Sequence, residues 1–461
     1  MATPVWYTPA SELLRQYRSK ELSPVDVTRA ILDRIEAVNP KVNALYLVDH
    51  DRALAAARAS EERWWRGEPG GLLDGVPVTL KDHIPAKGLP SPNGTRATDL
   101  DQPWDSDAPV TARLKEHGAI ILGKTTMPDF GFVASGISTL HGTTRNPWNL
   151  GRNSGGSSSG AGAAVAAGLG PLAVGSDVGG SVRIPSAFCG VFGLKPSYGR
   201  VPYHDPWPWL VTGPITRTVV DAALMMNVIT RPDRRDYTAL PYDARDYLVD
   251  LEAGVAGVRI GVLLDIGFGL PVDPEIRTHV IEVGHTLQKL GALVEPMPPT
   301  FADNPEPDFD RCLQVRASLS FAALTPERQR LVLSEIAEWC RRGTAPTALD
   351  LMQAIANTGA IRRRTLAAFE KYDYVISPTM PVLPYDAELP WPVGGSAHNQ
   401  FCFPYNMSEQ PAASINCGFS REGLPIGVQI VGQRFDDRGV LQVARAYERA
   451  SNLHERPPRL S

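Results

Sequence analysis

Two short runs rich in glycine and serine constrain this chain more than anything else in it. The first reads Gly155-Gly156-Ser157-Ser158-Ser159-Gly160 and the second Asp177-Val178-Gly179-Gly180-Ser181-Val182-Arg183. By composition the first would pass for a flexible linker. Its setting argues otherwise, because it is short, lies between apolar elements and runs into a small-residue helix, Ala161 to Leu169. Glycine admits backbone angles closed to other residues, and amides at a helix start form a natural anion site. A phosphate loop needs a lysine followed by Ser or Thr after its second glycine, and Ser158-Ser159-Gly160 supplies none. In the second run, two glycines let the chain turn sharply before Ser181 and aim successive N–H groups into one space. Such donors stabilise the oxyanion of acyl transfer by about 3–4 kcal/mol each. A plain tight turn is the competing reading. Asp177 and Arg183 flank this run, either paired across it or solvated.

A third island is an apolar strand, Val76 to Leu80, that ends in Lys81. A serine hydroxyl is a poor nucleophile until a base takes its proton. A neutral lysine can be that base where its site lowers its pKa. Taken alone, Lys81 reads as a lysine reaching solvent; the two serine runs are what give it weight. Asp82 and His83 follow at once, so His83 in a Ser-His-Asp arrangement is the alternative base. The other histidines lack paired spacing such as HExxH, so no metal site is expected.

Composition excludes several classes. A net charge of −4 gives no basic field to draw the chain to nucleic acid or an anionic membrane. Cys189, Cys312, Cys340, Cys402 and Cys417 are scattered, as expected of reduced thiols in a cytoplasmic protein. Met1 to Ala10 has no signal-peptide pattern and no stretch of about 18 apolar residues exists, so neither secretion nor a membrane span is expected.

Ser23-Pro24 opens a helix that Asn39-Pro40 should end. Further helices are expected from about Arg52 to Arg66, from Pro109, from Pro274 to Leu290 and from Arg438 to Ala450. Strands are expected at 119–123, 172–174, 258–264, 374–376 and 426–431. Apolar strands alternating with helices argue an α/β fold with a largely buried sheet. Although 461 residues would allow two or three domains, the chain reads as one domain over residues 1–461. Residues 233–368 turn more charged and helical, an elaboration of that domain with Pro305-Glu306-Pro307-Asp308 as an exposed loop.

The islands and the motifs around them resemble the amidase signature family. The block from Gly155 to Ser186 reads GGSSSG…GSDVGGSVRIPS. The likeness continues in Gly75-Val76-Pro77, Gly123-Lys124-Thr125, Asn146-Pro147-Trp148-Asn149 and Gly193-Leu194-Lys195-Pro196-Ser197. Towards the C-terminus it includes Ser377-Pro378-Thr379, Gln410-Pro411-Ala412 and the run from Gly423 to Gln429. The resemblance implies a large mixed β-sheet sandwiched between layers of α-helices, with residues 60–200 as its signature core. It implies a triad: Ser181 as nucleophile, Ser157 as a bridge held by a cis bond after Gly156, and neutral Lys81 as base. It places an oxyanion hole at the amides of Val178, Gly179, Gly180 and Ser181, supported by Ser158, Asp177 and Arg183. It implies no metal and no cofactor. Ser154 stands where the family usually has proline, and His83 and Thr126 where asparagine is usual. These departures are expected near the mouth of the site.

The resemblance leaves several roles open. The catalytic subunit of glutaminyl-tRNA amidotransferase shares the signature, but Ala354 to Gly359 stands where its tyrosine-rich stretch is expected. From these 461 residues neither the membrane-anchoring segment of fatty-acid amide hydrolases nor the extra domain of allophanate hydrolases is expected. An inactive binding subunit is the non-enzyme alternative. The remaining expectation is a free-standing hydrolase of small neutral or aromatic amides, with carbamates, anilides and esters open to the same chemistry. Its partner would be a small-molecule substrate, and it would be a monomer or homodimer. Gly131-Phe132-Val133 and the loop from Tyr203 through Trp207 to Trp209 are candidates to line its pocket. Trp207 and Trp209 packing on their own prolines is the alternative.

Overall fold

The computed structural model describes residues 4–392 and 397–460. Among these residues, one mixed sheet has eleven strands. They are β1 (Leu45–Val48), β2 (Pro77–Lys81), β3 (Ile120–Thr125), β4 (Leu172–Asp177), β5 (Phe192–Lys195), β6 (Val211–Thr216), β7 (Arg259–Leu263), β8 (Leu293–Met297), β9 (Tyr374–Pro378), β10 (Ala412–Phe419) and β11 (Pro425–Val431). Their order across the sheet is β1-β3-β2-β4-β6-β5-β10-β11-β9-β7-β8. β3, β2 and β4 run parallel, as do β9, β7 and β8, and the strands between these groups pair antiparallel.

Side chains alternate across a strand, so each strand of a covered sheet feeds two cores. Ile120, Leu122 and Ala173 face one layer, with Ile31, Ile35, Val38 and Ala164 from helices Pro24–Val42 and Ser159–Ala167. Ile121, Leu172 and Val174 face the other, with Met225, Val280 and Leu441 from helices Val219–Ile229, Pro274–Lys289 and Asp437–Ser451. Both faces being apolar explains the unbroken hydrophobic runs of β2 to β4. The helix Ser159–Ala167 is built of small residues because backbone lies against it. A Cβ at Gly160 would stand 2.2 Å from the Ala44 carbonyl oxygen, and one at Gly162 2.9 Å from that of Pro185.

Two expectations are corrected. The helix that starts at Pro24 runs past Pro40 to Val42, and Asn43 closes it in the left-handed conformation. Pro40 sits in the last turn, so the bond it removes is to the carbonyl of exposed Glu36, which water can reach, and only the end of the helix is affected. Pro305 to Asp308 is no loop, because the helix Glu306–Ala322 starts there. Proline is at home in a first helical turn, and Glu306 and Asp308 face the positive end of the helix dipole. Residues 233–368 also give β7 and β8 to the sheet edge. Their helices Glu306–Ala322 and Ala348–Ala367 pack Phe309, Leu313, Ala354 and Ile361 against Phe401 and Phe403.

Candidate active site

Lys81 ends a fully buried strand between two parallel neighbours, and its side chain has no solvent exposure. Its Nζ donates to Ser157 Oγ at 2.8 Å and to Ser176 Oγ at 3.0 Å. Burial pulls its pKa down to about 7, outweighing the upward pull of Asp177 and Asp82. Near neutral pH much of Lys81 is therefore a free amine with a lone pair beside a hydroxyl. Low pKa alone does not single it out. Burial brings Lys124 and Lys195 to about 7 as well, but Lys124 bonds the Ile84 carbonyl and Ser91, and Lys195 the Pro196 carbonyl.

The peptide bond between Gly156 and Ser157 is cis. Glycine is required before it, since a Cβ there would lie 2.4 Å from the Ser135 carbonyl oxygen and 2.6 Å from its nitrogen. Ser158 ties the two serine runs together. Its amide donates to the Ser181 carbonyl at 3.2 Å, and its hydroxyl donates to the Ser176 carbonyl and accepts from the Ser176 amide.

The second run leaves β4 at Asp177 and doubles back into the helix Arg183–Cys189. Gly180 has φ 124°, and a Cβ there would meet Ile184 Cδ1 at 2.7 Å and Cys402 Cβ at 2.9 Å. Asp177 and Arg183 are paired, not solvated: Arg183 Nε and Nη2 each lie 3.0 Å from a carboxylate oxygen, and both side chains are fully buried. Asp177 also accepts from the amides of Gly180 (2.7 Å) and Val182 (3.1 Å) and from Asn406 Nδ2. Burial would raise the Asp177 pKa, but the Arg183 charge and the donated bonds hold it well below the usual carboxylate range. Arg183 is further satisfied by the Cys402 carbonyl, Gln429 and Asn406. The Gly180 amide, one of the four expected oxyanion donors, is thus engaged by Asp177. The amides of Val178, Gly179 and Ser181 have no acceptor among the described residues.

Ser157, Ser176 and Ser181 meet at a cavity of about 260 Å³. Phe130, Gly131, Phe132, Val178 and Leu210 give it apolar walls, and His83, Tyr203, His204 and Arg316 also line it. Gly131 leaves room at the bridging serine, because a Cβ there would lie 3.2 Å from Ser157 Oγ. A larger cavity of about 810 Å³, walled by Arg245, Tyr374, Arg434 and Asp436 among others, contains none of the three islands.

Several expected neighbours lie elsewhere. Trp207 and Trp209 do not line the cavity. Trp209 is buried with Phe309 and Phe403, where a large ring gains most, and Trp207 lies against the Arg316 guanidinium, 4.5 Å from ring centroid to Cζ. Ser154 and Thr126 are buried structural residues, not rim residues. Ser154 Oγ donates to the Thr144 carbonyl, and Thr126 bonds Thr144 Oγ1 and the Ala44 carbonyl. His83 does reach the cavity wall, edge-on to Tyr203, but bonds neither serine. Burial, aided by the Lys81 charge, pushes its pKa well below the usual value. Asp82 binds His141 and the amides of Asn93 and Gly94, so no Ser-His-Asp relay runs through His83. Ser176 and Asn406 were missed in the sequence. The signal for Ser176 was its place one residue before Asp177 in the same block.

Among the described residues no three His, Cys, Asp or Glu side chains converge as a metal site would need. No described helix is long and apolar enough to cross a membrane.

The family model for amidases matches residues 26–441. An acylamidase of Rhodococcus erythropolis is 34% identical over 97% of this chain and 96% of its own length. One of the glutamyl-tRNA(Gln) amidotransferase subunits of Myxococcus xanthus is 35% identical over 96% of this chain and 97% of its own. Among solved structures, a bacterial aryl acylamidase of the amidase signature family superposes with a TM-score of 0.93 at 31% identity, covering all of both chains. With the signature block, the mixed sheet and the joined serine runs, these likenesses lead to one conclusion: the chain belongs to the amidase signature family, hydrolases that act on the carbon–nitrogen bonds of amides.

Proposed function

We propose that this protein hydrolyses small amides through an acyl-enzyme formed on Ser181. Neutral Lys81 accepts the Ser157 proton while Ser157 takes that of Ser181, whose Oγ attacks the amide carbon. The oxyanion is met by the amides of Val178, Gly179 and Ser181, with Gly180 held in place by Asp177. As the tetrahedral intermediate collapses, the relay returns a proton to the leaving nitrogen and the amine departs. Water, deprotonated by the same relay, then attacks the ester and releases the acid. The observation that carries this reading is the 2.8 Å bond from a buried Lys81 to Ser157 at a cavity shared with Ser181.

The apolar walls around Phe130, Phe132 and Leu210, and the likeness to the Rhodococcus acylamidase and the aryl acylamidase, support aromatic amides such as anilides. Aryl carbamates and esters offer the same acyl carbon. Likeness to the amidotransferase supports a second reading, release of ammonia from glutamine for a partner enzyme. Ala354 to Gly359, standing where a tyrosine-rich stretch is expected of that subunit, speaks against it. The purified chain is to be assayed on para-nitroanilides, aryl esters, carbamates and glutamine, with a fluorophosphonate to label Ser181. Turnover of the anilides with labelling lost in Ser181→Ala is expected. Turnover of glutamine alone favours the second reading, and no turnover with no labelling contradicts both.

A further inference from the structure

Arg316 carries a charge that no ion pair among the described residues answers. It stands on the helix Glu306–Ala322 one turn before Ser320, and both residues line the cavity of Ser157 and Ser181. Its guanidinium rests against the Trp207 ring at 4.5 Å, a contact that fixes its direction. Among the described residues no carboxylate comes within ion-pair distance of it and no acceptor takes its hydrogen bonds. Asp205 exerts some pull on it, yet that carboxylate is exposed and makes no ion pair with Arg316. Asp205 lines the same cavity without pairing with Arg316, and the other titratable groups of that wall, His83, His204 and the Tyr203 phenol, are not anionic near neutral pH.

An arginine half withdrawn from water normally has its fork of donors filled by a carboxylate, often in bidentate fashion. Here the space beside it is the cavity where the acyl chemistry is placed. We infer that Arg316 receives a carboxylate carried by the substrate, so that the site takes amides bearing an acid group away from the scissile bond. The inference rests on amide hydrolysis at Ser181 and replaces a neutral substrate with an anionic one. It also gives Trp207 a place, as a positioning residue behind Arg316 and not as a wall of the pocket.

The acid can sit on either side of the scissile bond, and three anilides of similar size separate the cases. Para-nitroacetanilide is neutral, the succinyl anilide of para-nitroaniline carries its acid on the acyl side, and para-acetamidobenzoate on the amine side. The wild type is expected to prefer one of the two acids over the neutral anilide by about tenfold or more in kcat/KM, through a lower KM. Arg316→Gln should remove that preference and Arg316→Lys keep part of it. Trp207→Ala should raise KM for the preferred acid with little change in kcat, and Trp207→Phe should restore it. The preferred acid identifies the side. Equal use of all three by the wild type, or an equal loss on all three in Arg316→Gln, overturns the inference while leaving amide hydrolysis standing. Hydrolysis of none, with Ser181 unlabelled by fluorophosphonate, removes the hydrolase reading and this inference together.

Discussion

A lysine held between two serine hydroxyls, at 2.8 Å from Ser157 and 3.0 Å from Ser176, can serve as a base only after it has lost its extra proton. Burial does that work here, against the pull of two nearby carboxylates, and brings Lys81 to about 7. The sign of the pH dependence follows. Below that value Lys81 is an ammonium with no lone pair, so kcat/KM on an uncharged anilide should rise with unit slope to about pH 7 and level above it. His83→Asn should keep that profile, because the ring bonds neither serine; loss of the rise would make His83 the base. Ser157→Ala cuts the relay and should lower kcat by about 10²–10⁴-fold with the fold intact by circular dichroism.

At the scale of elements, the site depends on two runs held by β4 and by the starts of the helices Ser159–Ala167 and Arg183–Cys189. Asp177 gathers the Gly180 and Val182 amides and the Arg183 guanidinium, all out of water. Asp177→Ala would leave Arg183 charged and unpaired in full burial. It should lower the unfolding free energy by about 3–5 kcal/mol, read as a lower urea midpoint with an unchanged m value. These elements were legible because Lys81, Ser157, Gly179, Gly180 and Ser181 stand in motifs that only a constrained backbone requires. β5 and β6 were not legible. Pro214 lies inside β6, a position that reads against a central strand. It is tolerated because pairing with β5 covers only Ile215 and Thr216. Gly213 beside it lets the Leu194 carbonyl approach, within 2.0 Å of where a Cβ would be.

For the whole molecule, the sheet with helices on both faces could be read from alternating apolar strands and helices, but the wall of the cavity could not. Arg316 and Leu210 reach it through tertiary packing of segments far apart in the chain, for which no local pattern exists. Trp207 and Trp209 show the converse, since their composition suits a pocket while burial and the Arg316 contact place them elsewhere. The buried lysines also leave a global signature. Lys81, Lys124 and Lys195 sit at about 7 in the folded chain and near their ordinary value when unfolded. Above about pH 7 the unfolded chain therefore binds more protons, and stability should rise with pH; below it both states are protonated and the penalty is complete. Buried thiols such as Cys312 and Cys340, pushed up to about 11 and about 12, act in the opposite sense once unfolded thiols ionise. The rise should therefore appear between about pH 7 and about pH 8.5, as a higher urea midpoint.

The most direct measurement is the rate at which a fluorophosphonate labels Ser181, followed by mass spectrometry across pH in the wild type and in Lys81→Ala. The wild type should label at Ser181 alone, faster as pH rises through about 7, while Lys81→Ala labels slowly and without that rise. Labelling of Lys81→Ala at the wild-type rate, or of a residue other than Ser181, would contradict a lysine acting through one serine to arm another.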